Sequence, residues 1–217
     1  MILLYLIEKA SNKIGCTLAV NLNLDEDNKE VLVYGAFCLL QTILCFSSII
    51  LFGYIFNVLI EALLVSISAS ILRKYSGGVH SASPNRCLII SILISVGFSL
   101  IVVSATNYLT SSILILLVFI GILYSYYFVY KYAPVDSEAK PINNINKRKK
   151  LKLKSLKCLS IMTILIALLI LAYILKLNRN LLIYCECIAV GITWQSFTLT
   201  KIGHNFLTNI DNIFIKN

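Results

Sequence analysis

Arg73-Lys74-Tyr75-Ser76-Gly77-Gly78-Val79-His80-Ser81-Ala82-Ser83-Pro84-Asn85-Arg86-Cys87 is a polar stretch between two apolar runs, Tyr54 to Leu72 and Leu88 to Thr106. Its reading decides the fold, because it must either continue one long helix or join two. Gly77 and Gly78 loosen a helix end, and Pro84 is excluded from a helix interior because it lacks an N–H and its ring meets the preceding turn. Ser83-Pro84 is a helix start, with Ser at the N-cap and Pro at the first helical position. The stretch therefore predicts a loop after Gly78 and a new helix from Pro84, with Cys87 in its first turn.

Outward from this island the chain is mostly apolar. Of 217 residues 59% are hydrophobic and 13% charged, and the mean hydropathy is +0.86, more apolar surface than a water-soluble core can hide. The predicted fold is all-α and polytopic, a single integral membrane domain over residues 1–217. Its spans are residues 31–53, 54–72, 88–106, 111–130, 156–175 and 181–200. At ~1.5 Å rise per residue, the first is long enough to cross the ~30 Å hydrocarbon layer. Short joints after the first, third and fifth runs predict helical hairpins.

A net charge of +9 raises the possibility of nucleic acid binding, but the basic residues concentrate between apolar runs, so no nucleic acid partner is expected. The block Lys131 to Lys157 holds Lys131, Lys140, Lys147, Arg148, Lys149, Lys150, Lys152, Lys154 and Lys157. Lys and Arg in short loops stay inside, which places this block, both termini and the Arg73–Cys87 island in the cytoplasm. The start lacks the basic segment and small-residue cleavage site of a signal peptide and is expected to be retained. Residues 1–22 space Ile2, Leu3, Leu6, Ile7, Ala10, Ile14 and Leu18 at helical intervals, an amphipathic helix lying on the membrane surface or packed on the rest of the chain. The seven Cys are odd in number and mostly lie in apolar runs, so no disulfide framework is expected.

Glu61, Glu186 and Gln41 stand within the apolar runs. A carboxylate there costs ~2.5–3.5 kcal/mol on insertion scales, so Glu61 and Glu186 require a partner or a wet cavity, structural or functional. Gln41 can satisfy itself across helices.

In the island, a thiol and an imidazole lie seven residues apart. On an unbroken helix they would sit ~10.5 Å apart along the axis, beyond hydrogen-bond reach. With a loop before Pro84, His80 can fold back to Cys87, whose place at a helix N-terminus favours negative charge on sulfur. His80 would then serve as base, and the free N–H groups of the first turn as oxyanion donors. Two weaker readings use the same residues: a metal site, for which His80 and Cys87 supply two ligands where structural zinc needs four, and a plain turn. Three functions follow from the residues: a cysteine peptidase, a small permease using Glu61 and Glu186, and a non-catalytic scaffold.

The pattern Arg73-x3-Gly77-Gly78-x-His80-x6-Cys87 resembles the signature of the AgrB (accessory gene regulator protein B) family of membrane cysteine endopeptidases in Gram-positive quorum sensing. The likeness extends to Val33-Tyr34-Gly35, Tyr132-Ala133-Pro134-Val135-Asp136, Lys140-Pro141-Ile142, the basic block and Gln195-x2-Thr198-Leu199-Thr200. It implies a bacterial cell-membrane location, Cys87 as nucleophile and His80 as base. Arg73, Gly77 and Gly78 would be needed for the site, and no cofactor or metal is expected. Gln41 is a further candidate for substrate or oxyanion contact. The implied partners are an AgrD-like propeptide with an amphipathic leader and an acidic tail, membrane lipid, and a second copy of the chain. The implied reaction removes the tail through a Cys87 thioester and closes a thiolactone or lactone ring.

Overall fold

In hydrocarbon each backbone N–H and C=O must be satisfied within its own segment, so apolar runs become helices. The computed structural model describes residues 2–78, 84–136, 144–176 and 178–213. They form α1 (Ile2–Asn21), α2 (Glu26–Ile55), α3 (Leu59–Ser76), α4 (Pro84–Tyr108), α5 (Ser111–Tyr132), α6 (Ile145–Lys176), α7 (Arg179–Phe197) and α8 (Lys201–Ile213). No strand occurs among the described residues, and the expectation of an all-α, multi-pass membrane protein holds.

The number of spans is less clear-cut than the sequence suggests. Among the described residues four helices, α2, α4, α5 and α6, are long and apolar enough to cross a membrane, or five if α7 and α8, bent by 90°, count as one. The second expected span, residues 54–72, is interrupted because the chain turns at Phe56 and Asn57, where Asn57 has φ 56° and Val58 N–H donates to the Gly53 carbonyl. What remains is α3, ~27 Å long at 1.5 Å per residue, carrying Glu61, Arg73 and Lys74. Those charges sit in its terminal turns, so Glu61 is half-exposed beside the positive end of a helix rather than in mid-span.

Consecutive helices from α2 to α7 run in opposite directions. At one end of the bundle Arg179 donates to the carbonyls of Thr106 and Leu109, and Tyr173 OH donates to Ser111 Oγ at 2.7 Å. At the other end lie the Gly77 turn, the start of α4, Val135 and the α7–α8 bend. α7 is the axis of the fold, packed against α3, α4, α5 and α6. Its Cys185, Ile188, Ala189 and Ile192 share a core with Leu72, Val118, Leu159 and Ile166. The outer faces carry large apolar side chains such as Leu39, Phe119, Ile164 and Leu171, as a bilayer-facing surface requires. All seven cysteines are free thiols.

α1 packs on α2 by an unexpected face. Ser11, Gly15 and Ala19 are buried, while Leu6, Ile14 and Leu18 of the apolar stripe face outward. Small side chains at i, i+4 and i+8 let two backbones approach closely, and a Cβ on Gly15 would overlap Val33.

Candidate active site

The end of α3 is shaped by two glycines. Gly77 N–H still bonds to the Arg73 carbonyl at 3.0 Å, but its φ of 69° and the 123° of Gly78 turn the chain out of the helix. Both values lie where side chains are strained. At Gly77 space forbids one too, since a Cβ would strike the Val135 carbonyl, whereas one on Gly78 would crowd Thr198 Oγ1 at 3.1 Å and Gln195 Nε2 at 3.2 Å. Arg73 to Cys87 is thus not one helix. α4 begins at Pro84, as the Ser-Pro signal predicts, and Cys87 lies one turn in, half-buried. His80 and Ser83 lie outside the described residues, as does the segment Lys140-Pro141-Ile142.

Segments distant in sequence hold this turn. Val135 N–H donates to the Ser76 carbonyl at 2.9 Å, pairing the Tyr132–Asp136 segment with the glycine turn, and the Ala133–Pro134 bond is cis. From α7, Gln195 Nε2 donates to the Gly77 carbonyl at 2.8 Å and to Ser76 Oγ at 3.2 Å. Gln195 is 1% exposed, and its own carbonyl accepts from Thr198 Oγ1 at 2.8 Å. Gln41 Nε2, from α2, donates to the Pro84 carbonyl at 2.8 Å. Gln41 thereby satisfies itself across helices and ties down the first turn of α4, without lining the cleft.

The cleft itself, about 100 Å³, is bounded by α3, α4, α7 and α8. Arg73 and Cys87 both line it, close enough to interact electrostatically. Arg73 is half-buried, with Nε shut off from solvent. Ser70, Ser91 and Gln195 add polar groups, and Ile94, Trp194 and Leu207 close it with apolar ones. Leu207 reaches the cleft because the chain bends after Phe197. Thr200 Oγ1 caps α8 by accepting from Gly203 N–H at 3.0 Å, and a Cβ on Gly203 would collide with the Phe197 carbonyl. His204, on the same helix, is exposed and does not line the cleft. Such a site offers a thiol at a helix N-terminus beside a guanidinium, an arrangement that stabilises negative charge.

The structure therefore brings Arg73 and Cys87 together in the cleft, joins the Gly77–Gly78 turn to it through Gln195, and sets Gln41 at the first turn of α4. Sequence reasoning assigned no role to Gln195, Ser76, Val135 or Trp194. The available signal was Gln195, a lone amide in an apolar run.

The family model for Accessory gene regulator B matches residues 8–199. An AgrB-like protein of Clostridium perfringens (strain SM101 / Type A) is 39% identical, over 95% of this chain and 97% of its own length. A second AgrB-like protein, from strain 13 / Type A of the same species, is 38% identical over the same shares. No solved structure matches the chain. With a match spanning the glycine turn, Cys87 and the Gln195 support alike, the chain belongs to the AgrB family and has its place in the agr quorum-sensing system.

Proposed function

We propose that the whole chain acts as one membrane cysteine endopeptidase that shortens an AgrD-like propeptide and promotes its cyclisation. The observation that carries the reading is Cys87 in the opening turn of α4, lining a cleft with Arg73 where the glycine turn breaks the helix. Cys87 Sγ, its proton passed to His80, attacks the carbonyl carbon before the acidic tail. Free N–H groups of the first turn of α4 and the Arg73 guanidinium stabilise the negative charge that forms. The C–N bond breaks, His80 returns the proton to the leaving amine, and the retained peptide stays on Cys87 as a thioester.

A thiol within that peptide then attacks the thioester carbonyl and expels Cys87. One thioester replaces another, so no nucleotide is consumed provided water is kept away. A Ser hydroxyl would give the lactone by the same route. Apolar walls at Ile94, Trp194 and Leu207 suit that exclusion. The exposed Lys147, Arg148, Lys149 and Lys150 at the start of α6 suit attraction of an acidic tail, and positive-inside bias places them, the cleft and both termini in the cytoplasm.

Cys87→Ala and Cys87→Ser should each abolish processing of a co-expressed AgrD-like propeptide, read by mass spectrometry, with the amount of protein in the membrane unchanged. Continued processing would overturn the reading. A permease would instead lose function on changes at Glu61 or Glu186 and tolerate Cys87→Ala.

A further inference from the structure

On the other side of Trp194 lies a second cavity, about 630 Å³, between α4, α5 and α7. Its walls are almost wholly apolar, including Phe98, Ala105, Leu117 and Val190. Glu186 is the one acidic group lining it. The side chain is 6% exposed, and its Oε1 is buried with no hydrogen-bond partner among the described residues. A buried carboxyl oxygen left without a donor is a standing cost to the fold, and it is retained where something else supplies the donor.

Trp194 belongs to both cavities, and its indole meets Phe98 edge-on, ring centres 5.7 Å apart. Trp194 is thus a shared wall between the cleft of Cys87 and a space of a size that binds a small peptide segment. Charge decides which segment fits. An acidic tail would meet apolar walls and a carboxyl group, whereas an apolar segment fits the walls and its backbone N–H groups are the donors that Glu186 lacks.

Resting on the peptidase reading above, we propose that this cavity holds the apolar segment on the acyl side of the cleaved bond, with Glu186 Oε1 accepting one of its N–H groups. The cavity so holds the peptide that stays on Cys87 while the tail departs, keeping the thioester in place until the ring closes. Glu186 is a binding and positioning residue in this scheme.

The test uses the full chain in lipid nanodiscs. Its probes are an AgrD-like propeptide that the unaltered chain cleaves and a copy whose apolar residues before the cleavage point are Ser. Glu186→Leu and the cavity-filling Ala105→Trp should each raise KM about tenfold, the effect of one lost hydrogen bond or its steric equivalent. Glu186→Gln, which keeps an acceptor oxygen, should restore KM, and kcat should stay within about twofold in all three. The Ser-containing probe should show a high KM that none of the three changes alters. Glu186→Leu should not lower the thermal midpoint, since it removes a buried carboxyl oxygen that has no hydrogen-bond partner among the described residues. If both Glu186→Leu and Ala105→Trp leave KM unchanged while Cys87→Ala abolishes cleavage, the cavity is occupied by lipid only and the proposal fails while the peptidase reading stands. Cleavage by Cys87→Ala would sink the peptidase reading itself.

Discussion

Gly77 carries the turn on which the cleft depends, and two independent constraints meet at it. Its φ of 69° is strained for other residues, and the Val135 carbonyl occupies the space a Cβ would need. Gly77→Ala should therefore cost ~1–3 kcal/mol, seen as a lower thermal midpoint in detergent, and should cut propeptide processing; an unaltered midpoint would show that the turn relaxes freely. Gln195 supports the same turn from α7. Gln195→Leu leaves the Gly77 carbonyl and Ser76 Oγ without that donor in a buried place, a loss of ~1–3 kcal/mol. Differential scanning fluorimetry should resolve it, and Gln195→Glu, which presents oxygens where the amide donates, should not rescue it. The need for glycine at residues 77 and 78 was legible in sequence because a helix end is a local event. Gln195 was not, because its partners lie more than a hundred residues away and only packing brings α7 beside α3.

At the scale of elements, helix existence followed from composition, while helix faces did not. α1 shows the difference. Its apolar stripe was plain, yet Ser11, Gly15 and Ala19 turn toward α2. Beside lipid, burying leucine against another helix gains little, so close backbone approach over small residues decides the contact. Gly15→Leu should pry α1 from α2 and speed limited proteolysis in the turn Leu22–Asp25, about tenfold for each 1.4 kcal/mol of packing lost. Equal cleavage rates would mean the pair is held elsewhere. The α7–α8 bend was equally hidden: the run to Thr200 reads as one span, but the helix ends at Phe197 and Thr200 caps a new one.

For the whole molecule, the alternation of α2 to α7 sorts the connections into two sets at opposite ends, and the proposed orientation rests on the basic start of α6. α3 carries three charged residues over its 18, yet it packs against α2, α4, α6 and α7 with those charges in the end turns. In a background without other cysteines, Asn57→Cys, in the α2–α3 turn, should react with a membrane-impermeant maleimide from outside intact cells. Lys149→Cys should react only after permeabilisation. Labelling of both from one side would mean that α3 does not cross.

By itself the sequence determined the helical class, the membrane setting, the break between Gly77 and Pro84, and the place of Cys87 one turn into α4. Each is a property of neighbouring residues: hydropathy over a span's length, the conformations open to glycine and proline, and the pattern of Lys and Arg. Only the tertiary structure decided that Arg73 and Cys87 share a cleft, that Gln195 and Val135 hold the glycine turn, and that Trp194 stands between that cleft and the cavity beside Glu186. Those are contacts between helices, set by which faces pack at depth, and no local pattern records them.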